Sequence, residues 1–123
     1  MVYTELMGEA FDPNEAKQFL RAREARERNQ REEVRKTVLT RVVACLQKRF
    51  QNTTVEVYLV GSVIRPFAFT AHSDIDIVLK NYQGDRFALW AELEKEIEQV
   101  VEVILFEGCH FQEFVVKEGL KVV

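Results

Sequence analysis

The spacing of apolar residues changes once along this chain, at Phe50, and that change limits the fold more than any other feature. Before it, Val34, Val38, Val42, Leu46 and Phe50 recur every fourth residue, supported by Leu39 and Cys45. This predicts an amphipathic helix whose apolar stripe must be covered by another element. After it come short runs dense in β-branched and aromatic residues. Residues 55–60 end at Gly61, residues 74–79 stop before Asn81 and Gly84, and residues 100–106 are interrupted only by Glu102. Residues 86–99 read as a helix with Phe87, Trp90, Leu93 and Ile97 on one face, residues 111–117 as a short helix, and residues 120–123 as a short terminal strand. The alternation predicts an α/β chain: a small mixed sheet flanked by helices. Residues 1–50 are expected to form a helical extension packing on a core built from residues 51–123.

The extension has a clear start. Asp12 offers an N-cap carboxylate, Pro13 stands at the first helical position and Glu15 at the third. Residues 21–33 then contain no large apolar side chain, and seven basic residues from Arg21 to Lys36 are interleaved with Glu24, Glu27, Glu32 and Glu33. That pattern predicts a solvated helix laced with pairs such as Arg23–Glu27 and Glu24–Arg28. A partner-docking surface is the sharper alternative. Four acids among the bases make a poor phosphate track, so direct nucleic-acid binding is not expected.

Composition narrows the class. The 123 residues carry 17 basic and 20 acidic side chains, with 47% hydrophobic and 30% charged residues, too apolar for intrinsic disorder and sized for one domain. Residues 1–50 hold 11 bases and 8 acids, while residues 51–123 hold 6 and 12. No apolar run approaches the ~20 residues of a membrane span, and the start lacks a basic-then-apolar leader pattern. Cys45 and Cys109 stand far apart, excluding a disulfide framework and a CxxC zinc site. A cytoplasmic protein without a membrane partner is expected.

Three features carry chemistry. Asp74 and Asp76, two apart on a strand, stand on one face about 6–7 Å from each other, with Ile75 and Ile77 on the other. Adjacent carboxylates repel unless a cation sits between them, and Mg²⁺ is commonly held by one or two carboxylates plus substrate phosphates. Gly61 and Ser62, directly after the first strand, offer backbone N–H groups and a hydroxyl to a phosphate. Only 11 residues separate Ser62 from Asp74, so antiparallel neighbouring strands place both motifs at one end of the sheet. A crossover through residues 86–99 brings Glu102 to the same end. Glu102 is expected to face inward, where a charge costs several kcal/mol unless it is neutralised or coordinated; the alternative is that the third strand is an edge and Glu102 faces water.

Gly61 and Ser62, the 11-residue gap, and then Ser73-Asp74-Ile75-Asp76-Ile77 resemble the GS…DxD signature of the DNA polymerase β-like nucleotidyltransferases. The likeness is to their minimal members (MNT), small proteins that serve as antitoxins beside HEPN-domain ribonuclease toxins. It extends over residues 55–123, with Arg65 and the strand around Glu102 matching family positions. The chain departs from the pattern in the gap, one residue longer than usual, in Pro66 where many relatives have glycine, and in Glu102 where Asp is commoner. The long N-terminal helix is not part of the minimal pattern.

The resemblance implies a nucleotidyltransferase fold and transfer of AMP from ATP to a hydroxyl, with pyrophosphate leaving. Asp74, Asp76 and Glu102 would be the catalytic residues and the ligands of two Mg²⁺ ions. Gly61, Ser62, Arg65 and Ser73 would be nucleotide-binding positions. His72, just before the motif, is read as a rim residue, with a proton shuttle as the alternative. The implied acceptor is a tyrosine hydroxyl of a HEPN toxin, in a hetero-oligomer with this chain. The alternatives are an antitoxin that masks the toxin without catalysis, and nucleotidyl transfer to a small molecule.

Overall fold

A computed structural model describes residues 12–123 of the chain; the first 11 residues of the expected extension lie outside the described residues. Helix α1 (Pro13–Phe50) runs unbroken for 38 residues, about 57 Å at 1.5 Å per residue. Asp12 caps it as expected, its Oδ1 accepting from Asn14 N at 2.9 Å. Only from Glu32 onward does α1 bury side chains: Glu32, Arg35, Val38, Val42, Cys45, Leu46 and Phe50. Val34, expected in the stripe, is 53% exposed. A strict four-residue spacing advances about 40° per step around a 3.6-residue helix, so Val34 ends up about 160° from Phe50. The inward face continues through Arg35 instead.

Four strands form a mixed sheet in the order β3-β2-β1-β4. Strand β1 (Glu56–Val60) pairs antiparallel with β2 (Ile75–Lys80), and β3 (Val101–Leu105) lies parallel to β2. Helix α2 (Arg86–Ile97) makes the crossover between β2 and β3. After β3, helix α3 (Gln112–Glu118) leads to β4 (Leu120–Lys121), which pairs antiparallel with β1. The described residues thus form a mixed α/β structure of three helices and one four-stranded sheet, beginning with a long helix.

Period-two alternation divides the sheet's side chains between two layers. Val57, Leu59, Ile75, Ile77, Leu79, Val101 and Val103 face α1 and α2 in the main core, joined by Leu46, Val42, Leu89, Leu93 and Ile97. On the other face, Tyr58, Val60 and Val78 meet Phe106 and Val115. That second cluster stops short of Asp76 and Glu102, so this part of the sheet stays open. Helix α2 buries Leu89, Leu93 and Ile97; Phe87, expected on that face, is 66% exposed, and Trp90 is half-buried. Phe87 sits about 160° around the helix from Leu89, which explains the correction.

Asp85 starts α2, its Oδ1 accepting from Phe87 N at 2.9 Å and Ala88 N at 3.3 Å. Asp85→Ala is expected to cost about 1 kcal/mol through these lost cap bonds. That corresponds to a thermal midpoint lower by about 3–5 °C, readable by scanning calorimetry. Among the described residues no helix is long and apolar enough to cross a membrane.

Candidate functional site

Asp76 is the centre of the site. Its Cα pairs across the sheet with Val60 on one side and Glu102 on the other. Because β1 ends at Val60, the next residue, Gly61, turns directly over the Asp76 carboxylate. Gly61 has φ +83° and ψ −154°, a combination essentially reserved for glycine. A Cβ at this position would lie 2.6 Å from Asp76 Oδ2. The glycine therefore serves two ends: a backbone shape that other residues resist, and close passage of the main chain past a carboxylate.

Electrostatics mark the same residue. Burial raises the Asp76 carboxyl from 3.8 to about 6, helped by the charge of Glu102, a hydrogen bond shared with Glu102, and the charge of Asp74. Asp74 lies one residue before β2 and is exposed. The three acids thus bear on one position, but unequally: Asp76 and Glu102 meet directly, while Asp74 contributes only its field.

Glu102 corrects an expectation. It is exposed, not inward, between buried Val101 and Val103. Strand β3 is the edge of the sheet, and the face carrying Glu102 is uncovered there. The desolvation argument for a buried charge does not apply to it; its significance lies in its register with Asp76.

An open cleft of about 1170 Å³ adjoins this pair, lined by Gly61, Arg65, Asp76 and Glu102 of the expected residues. Ser62, Ser73 and Asp74 do not line it. Ser62 begins the 3₁₀ turn Ser62–Ile64 that follows Gly61. Ser73 closes a turn, its Oγ accepting from Thr70 N at 2.9 Å. His72 is exposed beside that turn, its backbone N donating to Thr70 Oγ1 at 3.2 Å. The cleft also brings in Tyr82, Arg86 and Trp90 from the start of α2 and the loop before it. Nothing in their local spacing marks these residues in the sequence.

No protein-family model, no curated protein and no solved structure matches the chain. Among the described residues, no three His, Cys, Asp or Glu side chains are gathered to hold a metal ion by themselves. The all-oxygen pair of Asp76 and Glu102 still suits a hard divalent cation. Two repelling carboxylates beside an open cleft match the way Mg²⁺ is held, by one or two protein carboxylates with water and substrate phosphates completing the shell.

Helix α1 reaches the loop that follows Gly61. Glu32 and Arg35, read from sequence as part of a solvated stretch, are 6% and 7% exposed. Arg35 Nε bonds both Glu32 oxygens at 3.0 and 2.9 Å, and Arg35 Nη1 donates to Val63 O at 3.0 Å. Phe67 N donates to Glu32 Oε2 at 2.6 Å. The bond from Arg35 holds the Glu32 carboxyl down to about 2 against burial, with the Phe67 N–H helping. An i,i+3 spacing of opposite charges is the available signal, but the exposed Glu33–Lys36 pair on the same helix has the same spacing. The expected Arg23–Glu27 pair does form, at 3.1 Å on the exposed face.

Proposed function

We propose that this chain is a Mg²⁺-dependent nucleotidyltransferase of the minimal type, moving AMP from ATP to a hydroxyl of a partner protein, a HEPN ribonuclease toxin, in a cytoplasmic toxin–antitoxin pair. The observation that carries the reading is Gly61 folded against Asp76 with Glu102 in register beside it. A tight glycine turn over one of two facing carboxylates suits a metal–nucleotide polyphosphate, since glycine allows close approach of the backbone and the carboxylates can share Mg²⁺ with the phosphates. In the reaction, the acceptor oxygen bonds the α-phosphorus, the bond to the bridging oxygen breaks, and pyrophosphate leaves. Glu102, exposed at the cleft, accepts the hydroxyl proton. Of the turn after Gly61, the Gly61 main chain and Arg65 line the cleft. Gly61 lets the terminal phosphates approach the backbone, Arg65 neutralises charge gathering on pyrophosphate, and Ser62, outside the cleft lining, is left the lesser role of reaching in from the turn. Asp76 and Glu102, with Asp74 alongside, would hold Mg²⁺, which when bound offsets phosphate charge and lowers the acceptor hydroxyl's pKa.

The test mixes the purified chain with a HEPN ribonuclease partner, ATP and Mg²⁺ and weighs the products. The expected result is addition of one or more AMP groups to the partner; no addition with any divalent cation overturns the reading. Masking of the toxin without chemistry is the second reading, favoured by one observation: the three acids do not form a ready-made cage. An Asp74→Ala/Asp76→Ala chain that still neutralises the toxin at ordinary expression would decide for masking.

A further inference from the structure

A buried ion pair is a weak device for stability, because removing two charges from water offsets most of their attraction. The pair formed by Glu32 and Arg35 does something else: its spare valences grip the backbone of the loop of residues 61–69. Arg35 holds Val63 O, and Glu32 holds Phe67 N. Phe67 has φ +63°, uncommon for an aromatic residue, and its ring lies 4.2 Å under the Arg28 guanidinium. Residues 28, 32 and 35 share one face of α1. Between their two backbone grips sits Arg65, which lines the cleft. The loop's own bonds, Ile64 N to Gly61 O, Arg65 N to Ser62 O and Ala68 N to Arg65 O, are single local turns.

We propose that Glu32 and Arg35 are positioning residues for this loop, setting where Ser62 and Arg65 stand relative to Asp76, an assignment that rests on the nucleotide-binding role proposed for the loop. The N-terminal helix is then a working part of the site and not an appendage. A role in folding alone would not be specific to the loop, so the control breaks α1 packing elsewhere. Arg49, which bonds Glu92 at 2.9 Å and Glu96 at 2.8 Å, lies about 21 Å along the helix from Arg35.

The experiment titrates ATP with Mg²⁺ into the wild type, Arg35→Ala, Glu32→Gln and Arg49→Ala by calorimetry, and follows amide hydrogen exchange over residues 61–69. Arg35→Ala is expected to weaken Mg²⁺–ATP binding about 10-fold or more, as loss of an outer partner of a ligand site commonly does. Glu32→Gln, which keeps an acceptor for Phe67 N–H, is expected to fall between it and the wild type. Both should speed exchange in the loop. Arg49→Ala should lower the thermal midpoint yet leave affinity within about twofold, a shift worth under about 0.5 kcal/mol. Unchanged affinity in the Glu32 and Arg35 variants, or an equal loss in Arg49→Ala, overturns the proposal. If the wild type binds no ATP, the nucleotide reading falls by itself. The exchange data then decide alone: loosening confined to residues 61–69 supports the positioning role, and unchanged protection refutes it.

Discussion

Asp76→Asn is expected to abolish AMP transfer and, in the metal-free protein at pH 7.5, to make the fold more stable. The two effects have one origin. Asp76 is held ionised against burial and against the charges of Glu102 and Asp74, which is why its carboxyl rises to about 6. A carboxyl raised from 3.8 to about 6 on folding binds more protons in the native state than in the unfolded one between those values. Stability therefore falls as pH climbs through that window, and the full penalty is present above about pH 6. Asp76 is only half-buried, so the penalty comes to about 1–2 kcal/mol after solvent screening. Asparagine has no charge to desolvate, so its gain should appear at pH 7.5 and vanish below about pH 4 in urea melts with EDTA. Transfer, by contrast, loses a metal-binding oxygen and should drop on the order of 10³-fold, about 4 kcal/mol of barrier. A variant that is less stable than wild type at pH 7.5, or that transfers AMP normally, would contradict the role given to this residue.

Greater stability on losing a charged residue is what a site built for a ligand should show, since its charges are arranged for the bound state. The same logic separates Asp76 from Glu32. The Glu32 carboxyl is held down to about 2 by Arg35, so its contribution is present above about pH 4.5 and is lost as pH falls toward 2. One acid is stabilised by a partner inside the chain; the other waits for one from outside it.

Much of this arrangement could be read from the chain alone, and the reason is local. Strand pairing follows from connection length: 11 residues between Ser62 and Asp74 allow neighbouring antiparallel strands, and a helix between β2 and β3 supplies the crossover that a parallel return needs. The meeting of Asp76 with Glu102 follows from those two steps. What stayed hidden depended on elements distant in sequence. The exposure of Glu102 turns on β3 being an edge, which only the full strand order reveals. The burial of Glu32 and Arg35 turns on Val63 O and Phe67 N, more than 25 positions away. Phe87 and Val34 show the limit of counting apolar spacings, because a helix of this pitch carries two plausible stripes and the sheet selects one. Ser73 shows that a motif serine beside the acids can be spent on a turn.

Gly61→Ala should damage both the fold and the reaction, and the damage should depend on Asp76. At φ +83° and ψ −154° an alanine meets backbone strain of about 1–3 kcal/mol. Its methyl would also stand 2.6 Å from Asp76 Oδ2, closer than real contacts allow, so either the turn or the carboxylate must move. Displacement of about 1 Å in a reacting constellation commonly lowers rate about 100-fold, and Mg²⁺–ATP binding and AMP transfer should fall together. Strain and collision can be separated with a double-mutant cycle, because Asp76→Ala removes the oxygen but leaves the φ requirement untouched. In urea denaturation, Gly61→Ala is expected to cost less in the Asp76→Ala background than in the wild type, the difference being the collision. Additive costs would mean that the main chain at Gly61 and the Asp76 carboxylate do not share space, and the close passage on which the nucleotide reading rests would be gone.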